Sequence, residues 1–184
     1  KDGKGLLLEL LGKDLPPREI VGWSWQEECG GADDPLEKNA AMIQLQRGWD
    51  DVLVPVFDMM SHRNGRWLNT ENSNVHWSKP VFVTASRDIK AGEELYTTYN
   101  FCSDCGGRSF GYGTPEILRD YGFVEQFPQR WFFPAFQEDN IAFELDEDDD
   151  GNSIVNWITG KPPTNEAVAF LADQLDRLQQ MADD

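Results

Sequence analysis

Cysteine is scarce in this chain, and so is positive charge. There are three Cys and two His in 184 residues, and 16 Lys and Arg stand against 33 Asp and Glu. Three cysteines, an odd number, build no disulfide framework. The excess of acids gives a net charge of −17, a field that repels phosphate backbones and argues against nucleic acid as a partner. No apolar run approaches the roughly 20 residues that a helix needs to span a bilayer, so no membrane role is expected. Internal repeats are also lacking, and no signal or transit peptide is visible at Lys1. The chain opens on Lys1-Asp2-Gly3-Lys4-Gly5 without an initiator Met, as a fragment would.

What is present is bulky. Apolar residues make up 40% of the chain, with seven Trp and eleven Phe, enough to bury a core rather than leave a disordered tail. The acids concentrate between Glu138 and Asp150, which reads as a solvated loop that also suits a basic partner.

Residues 6–11 (LLLELL) are a short helix turn or strand, interrupted by Pro16-Pro17. Trp23 and Trp25 flank Ser24 with strand-like alternation, and Gly30-Gly31 marks a loop. Asp34-Pro35-Leu36-Glu37 is a helix start: a capping acid, Pro at the first helical position, Glu at the third. It predicts a helix over 35–47 with Leu36, Ala40, Ile43 and Arg47 on one face. Val52 to Phe57 reads as a short buried strand running into Asp58-Met59-Met60. Asn64-Gly65 is a turn signal, and Val81, Val83 and Ala85 alternate as a strand does. Residues 89–94 form a turn, and Leu95 to Tyr99 has strand composition ending on the tyrosine. Residues 100–113 are a loop. Thr114-Pro115-Glu116 opens a short helix ending before Tyr121, with Gly122 as its left-handed terminator. Residues 141–145 and 154–157 pair as a hairpin around the acidic loop. Val168, Leu171, Leu175 and Leu178 share a helical face, on a last helix with little left to pack against.

Three motifs stand in order. Asp58-Met59-Met60-Ser61-His62 comes after an apolar strand. Gly92-Glu93-Glu94 precedes a strand ending in Tyr99. Tyr121-Gly122-Phe123 comes after a small helix, and Gln46-Arg47-Gly48 lies upstream of all three. Together, over roughly residues 36–125, they resemble the catalytic half of SET-domain methyltransferases, closest to the class related to Rubisco large-subunit methyltransferase. That class usually carries Asn where this chain has Ser61, so an amide that both donates and accepts is replaced by a hydroxyl.

The resemblance implies a mainly β, α+β fold: a SET fold of small sheets with short helices and a C-terminal pseudoknot, missing its N-terminal part. Gly3-Lys4-Gly5 has the spacing of the family's cofactor turn but leaves too little room before Arg47 for the usual helical insert. The implied organisation has four parts. Residues 1–33 are an N-terminal segment, for which the end of that insert is one reading. Residues 34–126 are the C-terminal SET core, 127–163 a hairpin-containing extension, and 164–184 the first helix of a helical lobe.

The implied activity is S-adenosyl-L-methionine-dependent methyl transfer to a Lys side chain of a protein substrate. A histidine-directed enzyme and a catalytically silent SET-like binding module are the alternatives. Tyr99 is then the catalytic tyrosine and also touches the cofactor. Arg47, Asp58, Ser61 and His62 bind the cofactor; Tyr121 and Phe123 line the channel for the incoming side chain. Each has a plainer reading: Arg47 in an ion pair, Asp58 as a turn former, Phe123 as core. Free Lys has a pKa near 10.4 and attacks as the neutral amine, so an apolar channel that disfavours the ammonium helps, as does alignment of the reacting atoms. The expected partner is a protein with an exposed Lys or His, and the chain is expected to be a monomer. The location is expected to be intracellular, with chloroplast, cytosol and nucleus all open. No metal is expected: Cys102-x-x-Cys105 lacks the further ligands that zinc requires, and His76 has no evident partner.

Overall fold

The computed structural model describes residues 25–48, 52–72, 80–100, 112–136, 139–158 and 163–183. The expectations for residues 3–11, Pro16-Pro17, Trp23, His76 and the Cys102–Cys105 pair lie outside these residues. The fold is mixed helix and sheet, with three small sheets among the described residues, in two compact units: one of residues 15–98, the other containing 99–184.

Of the described residues of the first unit, 25–27 are helical, where alternation suggests a strand. Helix α1, Pro35–Arg47, has the expected bounds, and Asp34 accepts hydrogen bonds from the Leu36 and Glu37 amides at 2.7 and 3.1 Å. Its periodic face does not bury, however: the helix has no buried residue, and Leu36 is 77% exposed. Polar contacts hold it instead. Glu37 accepts from the Ala32 amide and the Trp25 indole, and Lys38 pairs with Asp33. An N-cap such as that of Asp34 is worth about 1 kcal/mol.

The buried strand expected over 52–57 is not formed. Val56 has φ 73°, a left-handed backbone that a β-branched residue rarely adopts, and Leu53 and Val56 are exposed. The chain instead winds through a 3-10 turn, Phe57–Met59, with the Asp58 amide on the Val54 carbonyl. Strand β1, Ser61–His62, comes only after it, and pairs in parallel with β4, Tyr96–Thr97. Strands β2, Thr70–Asn72, and β3, Val83–Ala85, form an antiparallel pair. β4 is shorter than the strand expected from composition, and Tyr99 lies two residues beyond it in the chain.

In the second unit, helix α2, Thr114–Tyr121, starts where Thr-Pro-Glu predicts and includes Tyr121 as its last residue. Gly122 ends it at φ 79°, the left-handed cap that glycine adopts without a Cβ penalty. Gly113, before it, permits a close approach: a Cβ there would collide with the Arg130 carbonyl oxygen. Strands β5, Gln129–Phe136, β6, Asp139–Glu147, and β7, Ser153–Trp157, form one antiparallel sheet in that order. The expected hairpin is β6–β7, with Leu145 opposite Val155.

The acidic turn between β6 and β7 is built, not merely solvated. The Asp148 carboxylate accepts from the Asp150 and Asn152 amides and the Asn152 side chain. These bonds hold its pKa below the usual carboxylate value, with the Asn152 side chain contributing most.

The last helix, α3, Asn165–Asp183, does have a partner. Ala167 packs with Phe133 and Ile141 of the sheet, and Trp131, Phe143, Trp157, Phe170 and Leu171 surround them. The buried face runs through Ala167, Phe170, Leu171 and Gln174. Val168 and Leu175, placed on the apolar face by spacing, are 51% and 65% exposed. Aromatic bulk decides the rotation: Phe170 meets Phe133 edge-on at 6.2 Å. Among the described residues no helix is long and apolar enough to cross a membrane.

Candidate functional site

The residues singled out by the motifs fall into two groups, one in each compact unit. In the first unit, Arg47 closes α1 and turns its Nη1 onto the Asp58 carbonyl oxygen and the Met59 sulfur, each at 3.0 Å. The end of α1 is thereby tied to the 3-10 turn, and Asp58 is engaged through its backbone. No ion pair of Arg47 is formed among the described residues.

β1 carries the next two. His62 is 8% exposed. Ser61 faces solvent and donates to Glu94 Oε1 at 2.5 Å, while the Tyr96 hydroxyl donates to Glu94 Oε2 at 3.0 Å. One carboxylate therefore spans the register pair Ser61–Tyr96 that joins β1 to β4. The Ser61 and Tyr96 hydrogen bonds lower the Glu94 pKa, and the same carboxylate raises that of Tyr96.

Asn69 organises the turn before β4, and nothing in the sequence marks it as a functional candidate. It has no exposed surface. Its Nδ2 donates to the Glu94 carbonyl at 2.8 Å, and its Oδ1 accepts from the Tyr96 amide at 2.8 Å. Across the same turn Glu93 accepts from Arg87 at 2.5 Å and from the Lys90 amide at 3.1 Å. The Arg87 hydrogen bond is the main reason its pKa falls to about 2. Asn64, two residues after His62, accepts from the Thr98 hydroxyl at 2.8 Å. Its Nδ2 is buried with no hydrogen-bond partner among the described residues, a donor that costs free energy unless something accepts from it. A groove of about 540 Å³ runs along Trp67, Arg87, Lys90, Glu94 and Tyr96; the Gly92-Glu93-Glu94 motif lines it, and none of the residues given a cofactor, catalytic or channel role does.

In the second unit the structure brings three predicted residues together. The rings of Tyr99 and Tyr121 lie 4.7 Å apart, Tyr99 and Phe123 are 6.5 Å apart, and Tyr121 and Phe123 are 6.3 Å apart. These are favourable aromatic separations with tilted or edge-on planes. Phe123 remains 38% exposed. Burial, reinforced by the neighbouring Asp120 and Tyr99, pushes the Tyr121 phenol up to about 12, so it stays neutral at any ordinary pH. The cluster offers hydroxyls and π faces without an ionised group of its own.

Next to these rings in the chain lies a polar hub that the motifs do not indicate. Glu125 is 4% exposed, and Asn100 and Thr114 are 0% and 1% exposed. Glu125 Oε1 accepts from the Thr114 hydroxyl at 2.5 Å and from the Arg130 amide at 3.1 Å, and Oε2 accepts from Asn100 Nδ2 at 3.3 Å. The Arg130 guanidinium holds the Asn100 carbonyl at 3.1 Å and Glu144 at 2.7 Å.

No group of three or more His, Cys, Asp or Glu side chains that could hold a metal occurs among the described residues. Cys29 is a free, exposed thiol.

Comparison with known families finds a SET domain: the family model of that name matches residues 16–100. The match takes in Arg47, Asp58, Ser61, His62 and Tyr99, and Tyr121 and Phe123 lie beyond it. No curated protein and no solved structure matches the chain.

Proposed function

We propose that this chain is part of an S-adenosylmethionine-dependent protein-lysine N-methyltransferase, of the class related to Rubisco large-subunit methyltransferase. The observation that carries the reading is the cluster of Tyr99, Tyr121 and Phe123, in a chain whose residues 16–100 match the SET domain. An acceptor Lys has to shed its proton before it attacks. A neutral ring cluster suits both stages: π faces hold the arriving ammonium, and none of the three rings carries a negative charge of its own to lock it in that form. The Tyr99 hydroxyl orients the amine or the donor, and Tyr121 and Phe123 guide the side chain.

The residues of the first unit fit the methyl donor in their chemistry. S-adenosylmethionine presents a carboxylate, hydroxyls and ring nitrogens, all acceptors, and the Asn64 amide is a buried donor in want of one. Arg47 spends one nitrogen on the 58–59 turn and keeps further N–H groups for a carboxylate. Asp58 shapes that turn, and His62 and the backbone of Ser61 complete the set. When bound, the donor supplies a methyl group on a positively charged sulfur. Every other task falls to the protein: holding, aligning and excluding water.

Calorimetry with S-adenosylmethionine tests the first half of the proposal, and absence of binding rejects it. Transfer of labelled methyl to poly-L-lysine tests the second. Tyr99→Phe is expected to keep donor affinity and lose transfer; unchanged turnover removes the role assigned to Tyr99. Label recovered in methylhistidine from a His-bearing acceptor selects the histidine-directed alternative. One observation favours a binding module without transfer: the Ser61 hydroxyl is engaged by Glu94. Acceptor binding with no transfer selects that reading.

A further inference from the structure

We infer that Glu125 is a positioning residue that sets the geometry of the Tyr99–Tyr121–Phe123 cluster. The three rings sit on two stretches of chain, Tyr99 on one and Tyr121 and Phe123 on the other, and Glu125 ties the two together. Tyr99 is followed directly by Asn100, whose side chain donates to Glu125. Tyr121 ends the helix that Thr114 begins, and the Thr114 hydroxyl donates to the same carboxylate at 2.5 Å. Phe123 lies two residues before Glu125 itself. Arg130 closes the arrangement, with its amide on Glu125 and its guanidinium on the Asn100 carbonyl.

The chemistry requires a carboxylate. Thr114, Asn100 and the Arg130 amide all approach as donors, and an ionised Glu offers only acceptors. A Gln at this position has one acceptor oxygen and turns an NH2 toward an approaching donor. The hub is almost fully buried, so no water replaces a lost bond cheaply. Ring–ring contacts alone tolerate several arrangements. The hub selects one of them.

The inference rests on the proposed activity only in its kinetic part; its structural part stands without it. The primary experiment is nuclear Overhauser spectroscopy on the whole chain, reading contacts between the Tyr99 and Tyr121 rings and their ring-current shifts. Glu125→Gln and Thr114→Val are each expected to weaken those contacts, and Thr114→Ser, which restores the hydroxyl, is expected to keep them. Ala167→Gly, a destabilising change in the α3 core, is expected to leave them intact, which separates positioning from general loosening. If Glu125→Gln does not fold, the Thr114 pair carries the test. Ring contacts unchanged in Thr114→Val or in folded Glu125→Gln overturn the inference, whatever the activity.

The kinetic part reads kcat, acceptor KM and donor affinity. Glu125→Gln is expected to lower kcat about tenfold, the scale of a modest misplacement of reacting groups, with donor affinity within about twofold of the unaltered chain. Wild-type protein that transfers no methyl rejects the proposed activity, and the ring contacts then still decide the role of Glu125.

Discussion

Raising the pH probes Tyr121, a strongly perturbed ring of the cluster. Its phenol has a reference pKa of 10.0 and is pushed up to about 12 in the folded chain, first by burial and then by the charge of Asp120. Below pH 10 the phenol is neutral in both states and contributes no pH dependence. Between pH 10 and 12 the unfolded chain releases this proton and the folded chain retains it. The unfolded state then binds fewer protons, and stability falls as pH rises. One pKa unit corresponds to about 1.4 kcal/mol, so the loss is about 1.4 kcal/mol at pH 11 and approaches about 2.7 kcal/mol beyond pH 12. Tyr121→Phe keeps a ring in the cluster and has no proton to release. Urea unfolding of both proteins at pH 8 and pH 11 isolates the effect, because every other Tyr and Lys cancels in the difference. The unaltered chain is expected to lose about 1.4 kcal/mol more than the variant between these pH values. Equal losses would refute the buried, neutral tyrosine and with it the uncharged cluster on which the lysine reading rests.

Three further outcomes are expected from the same structure. Asn69→Ala removes two strong bonds to the turn before β4 and leaves the Tyr96 amide without its acceptor; a loss of about 2–3 kcal/mol in urea unfolding is expected, and a loss below about 0.5 kcal/mol would show the turn to be held by other contacts. Phe133→Ala opens a cavity between the sheet and α3 and is expected to cost about 3–5 kcal/mol by the same method; a near-neutral result would mean that α3 does not pack there. Carbon-detected NMR of Glu93 is expected to give a midpoint at about 2, and Arg87→Ala to move it up toward 4.5. Because the folded pKa is the lower one, the contribution of this pair is complete above about 4.5 and disappears as pH falls toward 2. An unmoved midpoint in the variant would assign the shift to the Lys90 amide instead.

Local signals were legible wherever the chain itself supplied both partners. Asp34-Pro35 set the first turn of α1, Thr114-Pro115 opened α2, and Gly122 closed it, because caps and turns are decided within four residues. Signals that depend on the rest of the fold misled. The period of Leu36, Ala40 and Ile43 marked a face with nothing to cover it among the described residues. Val52 to Phe57 has strand composition, but Pro55 and the left-handed Val56 turn it into a bend, and composition carries no information on whether a partner strand is available. β5 is not legible as a strand because Trp131-Phe132-Phe133-Pro134 is apolar on both faces and contains a proline, which a strand tolerates at a sheet edge. β5 is such an edge, and its register shifts between Phe133 and Phe136.

The same distinction governs the site. The approach of Tyr99 to Tyr121 and Phe123 is legible because motif order reports a long-range proximity that composition does not. Asn69 and Glu125 were invisible, because a lone polar residue among others looks like surface until its partners, 5 to 27 positions away, are in place. Ser61 misleads when one side of its pairing is considered alone. As a departure from Asn it looks like a weakened ligand. In the structure its hydroxyl meets the Glu94 carboxylate that also holds Tyr96, so it acts as a clip between β1 and β4. On the proposed function, its consequence for cofactor binding runs through the placement of the Ser61–His62 backbone. On that account Ser61→Ala should act on donor affinity only as far as it loosens β1, and Glu94→Gln, which keeps one acceptor, should act less. Calorimetry with S-adenosylmethionine on both variants checks the order, and a larger loss in Glu94→Gln would reverse the assignment.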